Sequence, residues 1–571
     1  MARPSIIFAP AVQKQVRLPA PVKGNNTLDN VLAIGPEYTY VCNNFVARPY
    51  GIEIRKGYRE WLPHGVSLPG AAATLMNYMS PDGASVFLFA ATDDVANSVY
   101  NISSPNTALD TPLPLVPTPS PPVYSFQAEA GAVVAGEWSW LSFHTPSITF
   151  LCAVLHGRGY YTFTSADGWR KVPVEMTDKA TLPTLPAGTI RFEYSGVVYN
   201  SDTMMFVFSW KSRLWFLQAN TALAWYLPVN QYAGEAEAID LGQFLTHGGG
   251  MSHAMSWTYD SGSGMDDGLI FVGNNGDMVI YQGTDPSDAA KFALKGTWFI
   301  GRIPKGRRGF VDYGGDVLIV TEYGINSVSD FVSGRLVNLE GQSSVAEKYN
   351  PTLARTVSNF IGDRYWQLVN YPAEEFIILL SPATRLDTQE RVSFVMSHFG
   401  KGWNTLTIME PYCALVHEGQ FIFSDRLGKV YQGFYGYQDN TSFDESVVGS
   451  EVVGQFQTGF FDYGSPNSNK RAQRVRILGQ ADGLPAYVLA MEPEYNLSNL
   501  PNVGAPSINT GALWDVALWD QAMWQSKAGY WAKWFGVACF GKRLSLQAAI
   551  RGTGYTLVTD YEVTYEEGIG L

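Results

Sequence analysis

The sequence is 571 residues long and carries a net charge of −13, with 16% charged and 14% aromatic side chains. That length exceeds what one simple hydrophobic core serves, so at least two domains are expected unless a propeller absorbs much of the chain. The acidic balance argues against gripping nucleic acid as the main role, and the 56 glycines and 32 prolines follow no short period, which excludes a collagen-like chain.

Residues 1 to 28 hold Arg3, Lys14, Arg17 and Lys23 with no acidic partner, and prolines at 4, 10, 19 and 21 disfavour a helix, so an extended arm is expected. The opening apolar stretch is too short and too proline-broken for a signal peptide, and export is not expected. Arg48 to Trp61 alternates apolar and charged residues as a half-buried strand does, and further strand-rich sequence reaches Ala91 with a Ser80-Pro81-Asp82-Gly83 turn. Thr111 to Val123 is a proline-rich strap. From Ser256 to Ile325, apolar strands at Leu269 to Val272, Met278 to Tyr281, Trp298 to Ile303 and Val317 to Thr321 alternate with Asn/Gly turns, which predicts successive hairpins. Ser344 and Glu347 have capping-box spacing, and Asn350 with Pro351 can start a turn, so a broken helix is expected over 344–357. Beyond about residue 445 the composition changes. A basic turn is expected at Lys470 to Arg476, and Trp514, Trp519 and Trp524 follow at a spacing that neither a strand nor a helix gathers on one face.

An apolar strand, a Gly or Asn turn and an aromatic strand recur around Tyr100, Tyr161, Trp215, Tyr281, Ile325, Ile377 and Tyr431, at intervals of 44 to 66 residues. Multistrand units of this length are the sign of propeller blades lengthened by loop insertions. The expected fold is therefore all-β: an irregular β-propeller of six or seven blades over 76–445, with a β-rich platform from 1–75 and 446–571 and few short helices.

Cys42, Cys152, Cys413 and Cys539 have no ligand spacing and are expected as reduced core residues. No apolar run is long enough to span a membrane as a helix. Asp260, Asp266 and Asp267 lie among glycines and form a weak calcium candidate that lacks the bidentate acid of an EF-hand. A carbohydrate-binding or sialidase-like propeller enzyme is the alternative reading, from Arg302-Ile303-Pro304 and the Asp-box-like 80–87. The order of these two fragments is the reverse of that family's, and no catalytic constellation completes them. No cofactor is expected.

The arm segment L-P-A-P-V-K-G-N-N-T-L-D-N with R-K-G-Y-R-E-W, the stretch from W-T-Y-D-S-G-S-G-M-D-D to Y-Q-G-T-D-P-S-D-A, the run W-D-V-A-L-W-D-Q-A-M-W and the terminal Y-E-E-G-I-G-L together resemble the tail nozzle (tail tubular protein B) family of short-tailed bacteriophages. The resemblance spans nearly the whole chain and is weakest between 90 and 250. It implies a non-enzymatic structural protein of the virion tail, assembled in the host cytoplasm. Six copies would form a tube below the adaptor ring that retains the viral double-stranded DNA and then conducts it without specific binding, next to tail fibre or spike proteins. On that reading Arg3, Lys14, Arg17, Lys23, Trp514, Trp519 and Trp524 are expected to face the adaptor or a neighbouring copy, with the arm ordering only when laid on another surface. Acidic side chains should face the lumen so that DNA slides, with Asp93, Asp94, Glu235, Glu237, Asp266, Asp267, Glu374 and Glu375 as candidates.

Overall fold

The computed structural model describes residues 12–93, 98–106, 136–260, 265–334, 345–384, 391–444, 446–483, 485–494, 529–552 and 554–568, with backbone alone for Val12, Tyr259, Asp260, Met265 and Asp266. Short strands rich in aromatic and β-branched residues dominate them, and turn residues separate the strands. Seven sheets follow one another along the chain. Blade 1 spans 72–101, blade 2 139–171, blade 3 204–240, blade 4 251–299, blade 5 310–327, blade 6 367–406 and blade 7 413–433. Their first strands, Ala72–Met79, Ser139–His144, Met204–Trp210, Met251–Asp260, Phe310–Tyr313, Gln367–Tyr371 and Cys413–His417, follow one another round a closed ring, each touching the next except that Met251–Asp260 meets blade 5 through Asp316–Thr321. The fold is a β-propeller with seven inner strands.

Blades 1 to 6 are each built from one continuous run of chain. The seventh is composite. Strands β1 (Val12–Pro19), β2 (Thr39–Asn43), β3 (Phe45–Arg48), β4 (Gly51–Ile54) and β5 (Tyr58–Glu60) come from the N-terminal segment, and β5 is the outermost strand of blade 7, where Tyr58, Arg59 and Glu60 pair with Gly433, Gln432 and Tyr431. The segment 1–75 is therefore shared between platform and propeller, and blade 1 begins at Ala72, slightly ahead of the expected boundary.

The platform is two facing sheets. In one, β4, β1 and the Asn469–Ala481 strand flank the C-terminal Thr556–Gly568 strand. The other continues blade 6: Trp403–Leu406 pairs with β2, then Val453–Thr458, Leu544–Arg551 and Ala486–Pro493 follow. Between them Phe45, Ile52, Val475, Ile477 and Val563 meet Cys42, Phe456, Leu489, Leu546 and Ile550 in one buried cluster. Burying such apolar surface stabilises the sandwich by roughly 25 cal/mol per Å².

Several expectations change here. Lys470 to Arg476 is strand, not turn. A register shift between Ala472 and Arg474 leaves Val475 and Ile477 buried, while the Arg474 and Arg476 guanidiniums lie over the Trp534 ring at 5.3 and 4.6 Å. The helix α2 is Asn350–Asn359, with Tyr349 in the N-cap position; the Asn350 amide instead bonds Ile325 N and the Tyr323 carbonyl. Ser344 lies outside the described residues. A shorter helix α1 (Val328–Val332), capped by Ser327, had no sequence signal assigned to it. The four cysteines are buried and unpaired by disulfides. No helix among the described residues is long and apolar enough to cross a membrane.

The arm also differs from expectation. From Val12 to Pro19 it pairs residue by residue with Glu567 to Asp560 of its own chain, so it finds its surface intramolecularly. Complementary charge explains the register: Lys14 pairs with Glu567, Arg17 Nη2 lies 2.7 Å from Asp560 Oδ2, and farther along Lys23 faces Glu37. The Lys14 ammonium, helped by Ser465 and Ser468, holds the Glu567 carboxyl down at about 2. A carboxylate with a depressed folded pKa contributes stability above its unfolded value near 4.5, and that contribution is lost as pH falls through about 2. Backbone amide exchange along β1 should therefore be pH-independent in protection factor down to about 4.5 and lose protection between there and about 2. Equal protection at pH 6 and pH 2 would show that the ion pairs do not hold the arm.

Candidate functional site

Because side chains alternate along a strand, every inner strand turns one row toward the propeller axis. The rows enclose a channel of about 570 Å³, to which the seven strands contribute Leu75, Trp140, Phe208, Met255, Phe310, Leu368 and Leu415 among others. This is a cavity of ligand-site size with mainly apolar walls. Among the described residues its charged lining is limited to Arg307, Arg308 and Asp312.

The two arginines sit where the chain enters the inner strand of blade 5, within Lys305-Gly306-Arg307-Arg308-Gly309. Residues just ahead of the inner strands of blades 2, 6 and 7 converge on the same mouth. Glu137, almost wholly buried, accepts a hydrogen bond from Arg307 N at 2.8 Å, and its carbonyl accepts from Arg307 Nη1 at 3.2 Å. Arg308 Nη2 donates to the Ala73 carbonyl at 2.7 Å, Nη1 approaches Cys413 Sγ at 2.6 Å, and Nε lies 3.9 Å from Glu137 Oε1. Asp93 accepts from Tyr365 Oη at 2.6 Å and from Gly136 N at 2.7 Å. The Tyr365 ring packs on Tyr412 at 4.2 Å, and the Arg391 guanidinium lies 4.7 Å over Tyr412.

Electrostatically the mouth is cationic within an acidic protein. Burial, together with the neighbouring Arg364 and Arg308 charges, lowers Arg307 to about 10 despite Glu137. Burial and the Arg426 charge lower Arg391 to about 10 as well. Arg391 is 4% exposed, and its Nε and Nη1 have no hydrogen-bond partner. Behind the wall, His253 packs edge-on against Phe310 at 5.5 Å and is lowered to about 3, mainly by burial, so it is neutral at ordinary pH.

The acidic candidates for the lumen of the tube lie on several different elements of the chain. Asp93 is at this mouth. Asp94 lies outside the described residues. Glu235 pairs with Arg191 and Glu237 accepts from Tyr226 Oη, both on the last strand of blade 3. Asp267 pairs with Lys211 and bonds Thr258. Glu374 is bound by Arg48 and Lys56 of the N-terminal segment, and Glu375 follows at φ 60°.

The calcium candidate is not a loop at its ends: Asp260, Asp266 and Asp267 fall in paired strands, with Tyr259 opposite Asp266 and Thr258 opposite Asp267. Residues 261–264 between these strands lie outside the described residues. Among the described residues no group of three or more His, Cys, Asp or Glu side chains is placed to hold a metal. Arg302 of the sialidase-like fragment pairs with Glu322, whereas Ser80 to Gly83 forms the turn leaving the inner strand of blade 1, so the two fragments occupy opposite ends of their blades. Arg3, Trp514, Trp519 and Trp524 lie outside the described residues.

The site now apparent was missed in the sequence. Its signal was a pair of arginines between glycines, immediately ahead of an inner strand, in a chain with only 39 lysines and arginines.

No protein-family model matches the chain, and no curated protein matches it. Among solved structures, it is similar to an exo-β-1,3-galactanase from Phanerochaete chrysosporium with galactose (12% identity, TM-score 0.25, covering 75% of this chain and 95% of that one). It is also similar to YCF48 bound to D1 peptide (9% identity, TM-score 0.34, 68% and 98%) and to PorZ, a surface component of the type-IX secretion system of Porphyromonas gingivalis (10% identity, TM-score 0.30, 74% and 44%).

Proposed function

We propose that this chain is a tail nozzle protein of a short-tailed bacteriophage: a structural subunit of the virion tail, six copies of which form the DNA exit tube below the adaptor ring. The ordered set of motifs from the arm to the C-terminal Y-E-E-G-I-G-L resembles that family. The observation that carries the reading is the platform. Strands from the N-terminal segment 12–54 and the C-terminal segment 453–568 are woven into one two-sheet unit, which is continuous through β2 with blade 6 of the propeller. A subunit that must stay joined to an adaptor while DNA passes under pressure is served by such a construction, because the Thr556–Gly568 strand, held by Asn469–Ala481 on one side and by β1 and β4 on the other, cannot leave without breaking the sheet. The net charge of −13 suits passage of DNA without retention by counterion release. Adaptor contacts are assigned to the platform, with Arg3, Trp514, Trp519 and Trp524 as its remaining candidates, and tail fibre or spike proteins to the outer blades.

The test is assembly. Purified chain mixed with adaptor-bearing heads should give particles with a sixfold tube in class averages from electron microscopy. Heads that remain bare at micromolar chain, or a ring of another symmetry, would overturn the reading.

A further inference from the structure

We propose that the axial channel of the propeller binds a small organic oxyanion, its charged end on Arg307 at the mouth and its apolar body along the inner strands. The inference rests on the channel itself and not on the nozzle reading.

Three observations combine. The first is chemical asymmetry along one cavity. Two guanidiniums stand at the mouth against the Glu137 carboxylate, whereas the walls are made by Trp140, Phe206, Phe208 and Phe310. A ligand that satisfies both parts has a carboxylate or phosphate at one end and an apolar or aromatic body at the other.

The second is hydrogen-bonding capacity. Arg308 directs Nη1 at Cys413 and Nη2 at the Ala73 carbonyl, and its buried Nε, 3.9 Å from Glu137, has no hydrogen-bond partner. Arg307 directs Nη1 at the Glu137 carbonyl, and its other guanidinium nitrogens are not among the buried atoms left without partners, which fits groups that face the channel. A planar guanidinium with its Nε/Nη2 edge uncommitted matches an oxyanion bidentately.

The third is electrostatic. Arg307, Arg308, Arg364, Arg391 and Arg426 act on this mouth, and burial presses Arg307 and Arg391 below the ordinary arginine range. Desolvated cations in excess of their acids are costly unless a counter-ion joins them, so an anion at Arg307 relieves a charge that the fold leaves undercompensated.

Calorimetric titration of the full chain with phenyl phosphate, benzoate, inorganic phosphate and benzyl alcohol tests this. Phenyl phosphate should bind saturably and at least tenfold more tightly than inorganic phosphate, because only the former fills the apolar part, and benzyl alcohol should bind at least tenfold more weakly because it lacks the charge. Arg307→Gln should weaken phenyl phosphate at least tenfold and Arg307→Lys by less, while Arg302→Gln, an exposed arginine paired with Glu322, should leave it unchanged. The proposal is overturned if phenyl phosphate and benzoate both fail to bind at 10 mM (on the order of a −2.7 kcal/mol interaction), if benzyl alcohol binds as tightly, or if inorganic phosphate binds as well as the aryl ester, which would leave a site for free phosphate only. The ligand comparisons use the unaltered chain, so they decide the matter even if Arg307→Gln does not fold.

Discussion

Replacing Arg55 with methionine should destabilise the protein by about 3–5 kcal/mol, among the largest losses available to a single substitution. Arg55 is completely buried, and its guanidinium spends every edge: Nη1 and Nη2 lie 2.7 and 2.8 Å from the two oxygens of Asp439, Nε donates to Asn44 Oδ1 at 3.0 Å, and the Lys56 and Thr407 carbonyls take the rest. Asn44 joins the same knot. At φ 57° it holds the left-handed turn between β2 and β3 and bonds Thr407 Oγ1 and Thr407 N just past the edge strand of blade 6. The knot thus ties the N-terminal segment to blade 6 and to the chain after blade 7. Methionine preserves much of the volume but leaves the Asp439 carboxylate buried without a counter-charge, and that desolvation drives the loss. The double variant Arg55→Met, Asp439→Leu should recover a large part of it, since replacing both partners removes the stranded charge. Urea unfolding midpoints of the wild type, both single variants and the double variant measure this. A double variant no better than Arg55→Met would show that packing, not charge, dominates the site.

How much of this was legible in the sequence follows from how local each feature is. The seven repeat markers, Tyr100, Tyr161, Trp215, Tyr281, Ile325, Ile377 and Tyr431, fall one in each of the seven blades, because a blade is a run of hairpins whose strand–turn pattern is written in adjacent residues. The strands at Leu269 to Val272, Met278 to Tyr281 and Val317 to Thr321 were legible for the same reason, whereas the one expected at Trp298 to Ile303 is Phe292–Phe299. What joins the blades to the platform was not. Arg55 and Asp439 are 384 positions apart, and nothing near either says that they meet. The arm's charges were visible, but Lys14 and Arg17 reach acids at the far end of the chain, Glu567 and Asp560, so a partner search confined to neighbouring sequence sent them outward. Asp260 and Asp266 read as turn chemistry because Asp and Gly favour turns, and cross-strand pairing outweighed that preference. The arginine mouth was hidden differently: Glu137, Arg307, Tyr365 and Tyr412 come from four blades and acquire a common meaning only when the ring closes.

That closure should depend on Gly57. The seventh blade lacks a fourth strand of its own and takes β5 from the N-terminal segment, where Tyr58 packs edge-on against Phe423 and Tyr431 at 5.5 and 5.1 Å and Lys429 Nζ lies 2.8 Å from Glu60 Oε1. Just before β5 the chain crosses the segment that follows blade 7, with Gly57 N donating to the Gly436 carbonyl and Tyr435 N to the Gly57 carbonyl. A Cβ at Gly57 would stand 1.9 Å from the Gln438 carbonyl oxygen, a contact with backbone that no rotamer relieves. Gly57→Ala must therefore separate the two segments, adding loss of the β5 pairing to the roughly 1–3 kcal/mol typical of overpacking. The expected result is a destabilisation above about 3 kcal/mol, with faster proteolysis around β5, while Gly362→Ala, with nothing within 4 Å of its added Cβ, stays within about 0.5 kcal/mol of wild type. Thermal melts of the two variants side by side give the comparison, and matching melting temperatures would mean that the ring holds without its borrowed strand.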